Sequence, residues 1–128
     1  MLAEAAIPVP SRRVLVVDDD AAVRNSLKFS LEIEGFTVRD YSSANELMRE
    51  SEIADAGCLV IDYHLPELNG LEMLYRLRER RVAAPAILIT SHPNPSVRQR
   101  AAEAGVPIVE KPLLGDALME AIHNAFAC

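Results

Sequence analysis

Apolar positions along this chain gather in short unbroken runs, separated by stretches where they recur at helical spacing. Arg13–Val17, RVLVV, is β-branched and unalternating, as expected of a strand covered on both faces. Val23, Leu27 and Leu31 then recur at helical spacing until Gly35 closes the segment. FTVRDY (Phe36–Tyr41) alternates, as a half-exposed edge strand does, and SANE (Ser43–Glu46) reads as a capping box opening a short helix. Cys58–Ile61 is another buried strand. PELNG (Pro66–Gly70) is a turn before a helix carrying Leu74 and Leu77. Ala86–Ile89 gives a further strand. Asn94 and Pro95 provide an N-cap and first helical position, and Gly105 the stop. Pro107–Val109 reads as the last strand and Asp116–Phe126 as the last helix.

Five β-α units with short connections predict an α/β fold, a parallel sheet with helices on both faces and right-handed crossovers. No repeat or linker divides the chain, so residues 13–127 read as one domain behind a flexible leader, residues 1–12. The opening MLAEAAIPVPSRR has neither the basic start nor the long apolar stretch of a signal peptide. At 128 residues, half hydrophobic and a quarter charged, the chain has the composition of a soluble globular domain. The net charge of −6 argues against direct nucleic-acid binding or a membrane surface. No apolar run reaches the roughly 20 residues of a membrane span. Cys58, inside an apolar run, reads as a small buried hydrophobe, and the scarcity of cysteine fits a cytoplasmic protein.

In an open α/β sheet, ligands bind beyond the carboxyl ends of the strands. Asp18, Asp19 and Asp20 follow the first strand, Asp62 the third, Thr90 and Ser91 the fourth, and Glu110, Lys111 and Pro112 the fifth. Carboxylates this close stay ionised together only with a cation beside them. Hard oxygen donors suit Mg²⁺, with Mn²⁺ as a substitute. Lys111 would then neutralise an incoming phosphoryl group and Thr90 would donate a hydrogen bond to it. Asp20 stands where it caps the first helix.

VLVVDDD, LVIDYHLPELNG, ILIT and VEKP, in that order and spacing, resemble the receiver domain of two-component response regulators; VEKP and SANELM are also similar to the nitrogen-fixation transcriptional-regulator branch. The resemblance spans Arg13 to Phe126. It implies the flavodoxin-like (βα)₅ three-layer sandwich with strand order 2-1-3-4-5. It casts Asp62 as phosphoacceptor, taking a phosphoryl group from a sensor histidine kinase or phosphotransfer protein. Asp19, Asp62 and the backbone carbonyl of His64 would ligate Mg²⁺, and Asp18 would hold a metal-bound water. Thr90, with Ser91 beside it, and Lys111 would bind the phosphoryl group, and Lys111–Pro112 would be a cis peptide. Ile108 stands at the switch position where the family often has an aromatic. Self-association would use the fourth helix, fifth strand and fifth helix. No metabolite would be turned over.

Two other readings remain open. A small Mg²⁺-dependent aspartyl phosphatase would use an Asp-x-Asp-x-Thr run; Asp18 and Asp20 are spaced for it, but Ala22 stands where threonine is needed. A degenerate receiver would act only as a binding module, which the complete set of acids, hydroxyl and lysine argues against. His64, His92 and His123 read as ordinary imidazoles without metal-ligand spacing. Arg76, Arg78, Arg80 and Arg81 read as solvated groups around a helix end. The two prolines and basic stretch of Ser91–Arg100 leave the start of the fourth helix open to a shift.

Overall fold

The computed structural model describes residues 12–50 and 53–127. Apart from Arg12, the leader lies outside the described residues, as does Cys128. The strands are β1 (Arg13–Val17), β2 (Thr37–Tyr41), β3 (Cys58–Asp62), β4 (Ala86–Thr90) and β5 (Ile108–Glu110). The helices are α1 (Ala21–Ile33), α2 (Ala44–Met48), α3 (Gly70–Glu79), α4 (Pro95–Glu103) and α5 (Ala117–Ala127), with a 3₁₀ turn at Ile53–Asp55. All pairings are parallel and the order is β2-β1-β3-β4-β5. The parallel sheet is the one the apolar pattern predicts, and its order is that of the flavodoxin-like three-layer sandwich the family resemblance implies.

Helices α1 to α4 each start where a short polar side chain takes a first free N–H group. Asp20 accepts from Ala22 N at 2.9 Å, and Asn94 accepts from Val97 N at 2.9 Å. Pro95 follows that cap at the one place where a missing N–H costs nothing, so α4 starts there despite the prolines. The capping box at α2 differs by one residue. Ser43 accepts from Glu46 N, but the Glu46 carboxylate reaches back to the N–H and hydroxyl of Ser42. At the end of α1, Gly35 takes φ +94°, the left-handed conformation that ends many helices.

The central strand runs are apolar at every position, yet their side chains divide by parity. Val14, Val16, Cys58, Val60, Ile87 and Ile89 pack with Leu27 and Leu31 of α1 and Leu118 and Ile122 of α5. Leu15, Val17, Leu59, Ile61 and Leu88 pack on the other face with Leu47 of α2, Leu71 and Leu77 of α3 and Val97 of α4. Two of the four arginines around the end of α3 are more than solvated charge. Arg78 donates to the carbonyls of Val82 and Ala84 at 2.7 and 2.8 Å, and Arg80 to that of Met48 at 2.9 Å.

Gly70, the first residue of α3, fixes how closely that helix approaches the end of β3. A Cβ added there would lie 2.5 Å from the Asp62 carbonyl oxygen and 2.9 Å from Ile61 Cγ2. Gly70→Ala should therefore destabilise the fold by about 1–3 kcal/mol, the usual range for overpacking, through displacement of β3 or α3. Urea unfolding with an unchanged slope checks it; a loss under about 0.5 kcal/mol would show that the backbone yields without strain.

Candidate functional site

Because the strands are parallel, their carboxyl ends share one edge, and the polar residues after β1, β3, β4 and β5 meet there. Asp18 is fully buried. Its N–H donates to Tyr41 O at 3.1 Å, its Oδ1 accepts from Asp20 N at 2.8 Å, and its Oδ2 is paired with Lys111 Nζ at 2.8 Å. Asp62, 4% exposed, accepts from His64 N at 3.2 Å through Oδ1, and its Oδ2 lies 3.3 Å from the same ammonium. Asp19 is exposed. Asp18, Asp19 and Asp62 each offer a carboxylate oxygen, all within 4.8 Å of one another. Lys111 reaches them from the end of β5, where its N–H donates to Thr90 O at 2.9 Å and Lys111–Pro112 is cis.

Burial pushes the Asp62 carboxyl above the usual carboxylate range, and the neighbouring Asp18 adds to the rise; Lys111 and the His64 N–H oppose it. Burial alone would lower the Lys111 ammonium, but its bond to Asp18 and the attraction of both acids raise it. Two carboxylates thus share a single ammonium, and a third offers an oxygen within 4.8 Å of theirs. This hard, partly desolvated and electron-rich oxygen set fits a divalent cation such as Mg²⁺.

The remaining candidates fall nearby with unequal involvement. Thr90 is fully buried, and its Oγ1 accepts from His92 N at 3.4 Å. Ser91 and His92 are exposed and border, with Lys111, a cavity of about 640 Å³ between α1 and the start of α5. His64 is exposed, its ring edge-on to Tyr63. Ile108 is half-buried at the start of β5, opposite Leu88 and packed on the α2-α3-α4 side. His123 lies apart, on α5 against Phe36 and 3.9 Å from Glu34. One site neighbour was not singled out by sequence reasoning. Arg24 donates to the Asp18 carbonyl, and its only linear signal is being the first basic residue after three acids.

A family model described as the response regulator receiver domain matches residues 14–123. The chain is similar to the transcriptional regulatory protein FixJ of Rhizobium meliloti strain 1021, 35% identical over 113 residues, covering 88% of this chain and 55% of that protein. It is also similar to the C4-dicarboxylate transport transcriptional regulatory protein DctD of Pseudomonas aeruginosa, 32% identical over 88% of this chain and 25% of that one. The chain therefore spans about half the length of FixJ and a quarter of DctD. Among solved structures, the receiver domain protein (CheY-like) from Methanospirillum hungatei JF-1 superposes with a TM-score of 0.81 at 28% identity, over 91% of this chain and 94% of that one. The response regulator StyR gives 0.82 at 32% identity, over 90% of this chain and 59% of that one.

A carboxyl raised in the folded state binds protons there more readily than in the unfolded chain, so its ionisation costs stability as pH rises through the folded value. Asp62→Asn should raise the melting temperature of the metal-free protein at pH 7–8. The advantage should shrink as pH falls through the folded value toward the ordinary carboxylate range, below which Asp62 is protonated in both states. Thermal melts across pH 4–8 in a chelating buffer check this, and an advantage that grows toward acid pH would reverse the sign assigned to Asp62.

Proposed function

We propose, on the ground that this chain belongs to the response regulator receiver domain family, that Asp62 accepts a phosphoryl group from a histidine of a sensor kinase or phosphotransfer protein. The observation that carries this is the single ammonium of Lys111 held at 2.8 Å from Asp18 and 3.3 Å from Asp62. It brings the ends of β1, β3 and β5 to one point, where a phosphoryl group on Asp62 would find a fixed positive charge.

A carboxylate oxygen of Asp62 attacks phosphorus as the P–N bond to the donor histidine breaks, and the leaving imidazole keeps that electron pair. The product is an acyl phosphate. Asp19, Asp62 and the His64 carbonyl would hold Mg²⁺ directly and Asp18 through water, and the bound cation would supply charge against the phosphoryl oxygens. Lys111 pairs one phosphoryl oxygen, and the Thr90 hydroxyl, at the end of β4, donates to another. Ile108 has no ring with which to answer a movement of Thr90, and its β-branched side chain has few rotamers. The response therefore runs through the segment from Ser91 to Asn94 and α4, toward a partner, an output domain or a second copy at the α4-β5-α5 face. The chain turns over no metabolite. Among the described residues no helix is long and apolar enough to cross a membrane, and the proposed switch works in the cytoplasm.

Incubation with acetyl phosphate and Mg²⁺ or Mn²⁺ should add one phosphoryl group by intact mass. Chelation or Asp62→Asn should abolish it, and labelling that survives the substitution would move the nucleophile to another acid. Mg²⁺ should also stabilise the unphosphorylated protein by about 2.7 kcal/mol at a hundredfold excess over Kd. Asp19→Asn should remove most of that gain, and melting indifferent to millimolar Mg²⁺ would count against the ligand set.

A further inference from the structure

We propose that Arg24 is a positioning residue for the metal-binding carboxylate of Asp19, acting through the peptide that joins Asp18 to Asp19. The proposal rests on reading the acid cluster as a Mg²⁺ site. Arg24 lies in the first turn of α1 with its side chain 18% exposed. Its Nη1 donates to the Asp18 carbonyl oxygen at 2.7 Å and its Nε to Asp40 Oδ2 at 3.1 Å, so one planar fork ties α1 and β2 to the β1-α1 turn.

A peptide unit is planar, so fixing its carbonyl fixes the N–Cα bond of the next residue. Arg24 therefore sets the plane entering Asp19. The plane leaving Asp19 is set independently, because Asp20 N donates to Asp18 Oδ1 at 2.8 Å. With both flanking planes held, φ and ψ of Asp19 are fixed, and so is the direction of its Cα–Cβ bond. Asp18 is gripped at both carboxylate oxygens and Asp62 at both of its own. Asp19, exposed on the rim of the cluster, owes its direction to its backbone.

Electrostatics alone predicts the opposite effect, which makes the test decisive. Removing a guanidinium from beside a cation site should tighten cation binding; releasing a ligand from its position should weaken it, by about tenfold for a typical outer-shell partner. The experiment measures Mg²⁺ affinity by titration calorimetry, with thermal melts and intact-mass labelling by acetyl phosphate, for wild type, Arg24→Gln and Arg24→Lys. Arg24→Gln should raise the Mg²⁺ Kd by about tenfold, and saturating Mg²⁺ should restore Asp62 labelling. Arg24→Lys keeps the charge but not the fork and should weaken binding by a smaller factor while folding normally. Folded variants that both bind Mg²⁺ as tightly as wild type, or more tightly, would overturn the proposal whatever their melting temperatures. A wild-type protein that neither binds Mg²⁺ nor labels would overturn the site reading itself, and this proposal with it.

Discussion

The burial of the Asp18 carboxylate is the constraint around which the molecule is arranged. An isolated carboxylate without solvent access carries a desolvation cost of several kcal/mol, so it persists as an ion only with close partners. Here the partners are the Asp20 N–H and the Lys111 ammonium, both at 2.8 Å. Lys111 follows β5, an edge strand separated from β1 by β3 and β4. Its reach to Asp18 requires the carboxyl ends of these strands to be level and the β5-α5 connection to turn inward. Asp62 shares the ammonium on the way, at 3.3 Å. A lysine divided between two acids neutralises neither fully. Burial and the neighbouring Asp18 keep Asp62 harder to ionise than an ordinary aspartate, and the shared ammonium leaves the cluster suited to a further cation.

The helices make that arrangement rigid from both sides. Asp18 extends from β1 and Asp62 ends β3, strands whose side chains are all buried or nearly so. α1 begins immediately after the acids and is pinned to them by the Asp20 cap. On the opposite face, α3 approaches so closely that its first residue has no room for a Cβ beside the Asp62 carbonyl. The site is therefore set by packing on two layers as well as by its own charges. In the proposed reaction, this leaves Lys111 as the group free to change partners, from carboxylate to phosphoryl oxygen, without moving the frame.

Much of this was legible in the linear sequence because the interactions involved are local. A strand buried on both faces needs an unbroken apolar run, and Val14–Val17, Cys58–Ile61 and Ala86–Ile89 are such runs. Helix ends need side-chain acceptors or left-handed turns within a few residues, and Asp20, Asn94 and Gly35 supply them. The parallel pairing that repeated βα units impose, with the strand order that the family resemblance implies, then places Asp18, Asp19, Asp62, Thr90 and Lys111 at one edge, whatever the details of packing.

Tertiary structure decided what local chemistry leaves degenerate. Runs that are apolar throughout carry no label for which face meets which helix; closing the sheet sent Val14 and Val16 toward α1 and α5 and Leu15 and Val17 toward α2, α3 and α4. A long flexible cation has many acceptors within reach of its stem, so sequence could not say that Arg78 and Arg80 hold backbone carbonyls, or that Arg24 holds that of Asp18. Nor could it divide Lys111 between Asp18 and Asp62, a partner 49 residues away, because that division depends on sub-ångström differences in where two strands end. The sequence by itself determined which residues gather at the edge of the sheet, since period and caps are short-range properties and parallel βα units bring every strand's carboxyl end to the same edge. Only the folded chain decided which of them touch, since contact distances are set by the packing of elements distant in sequence.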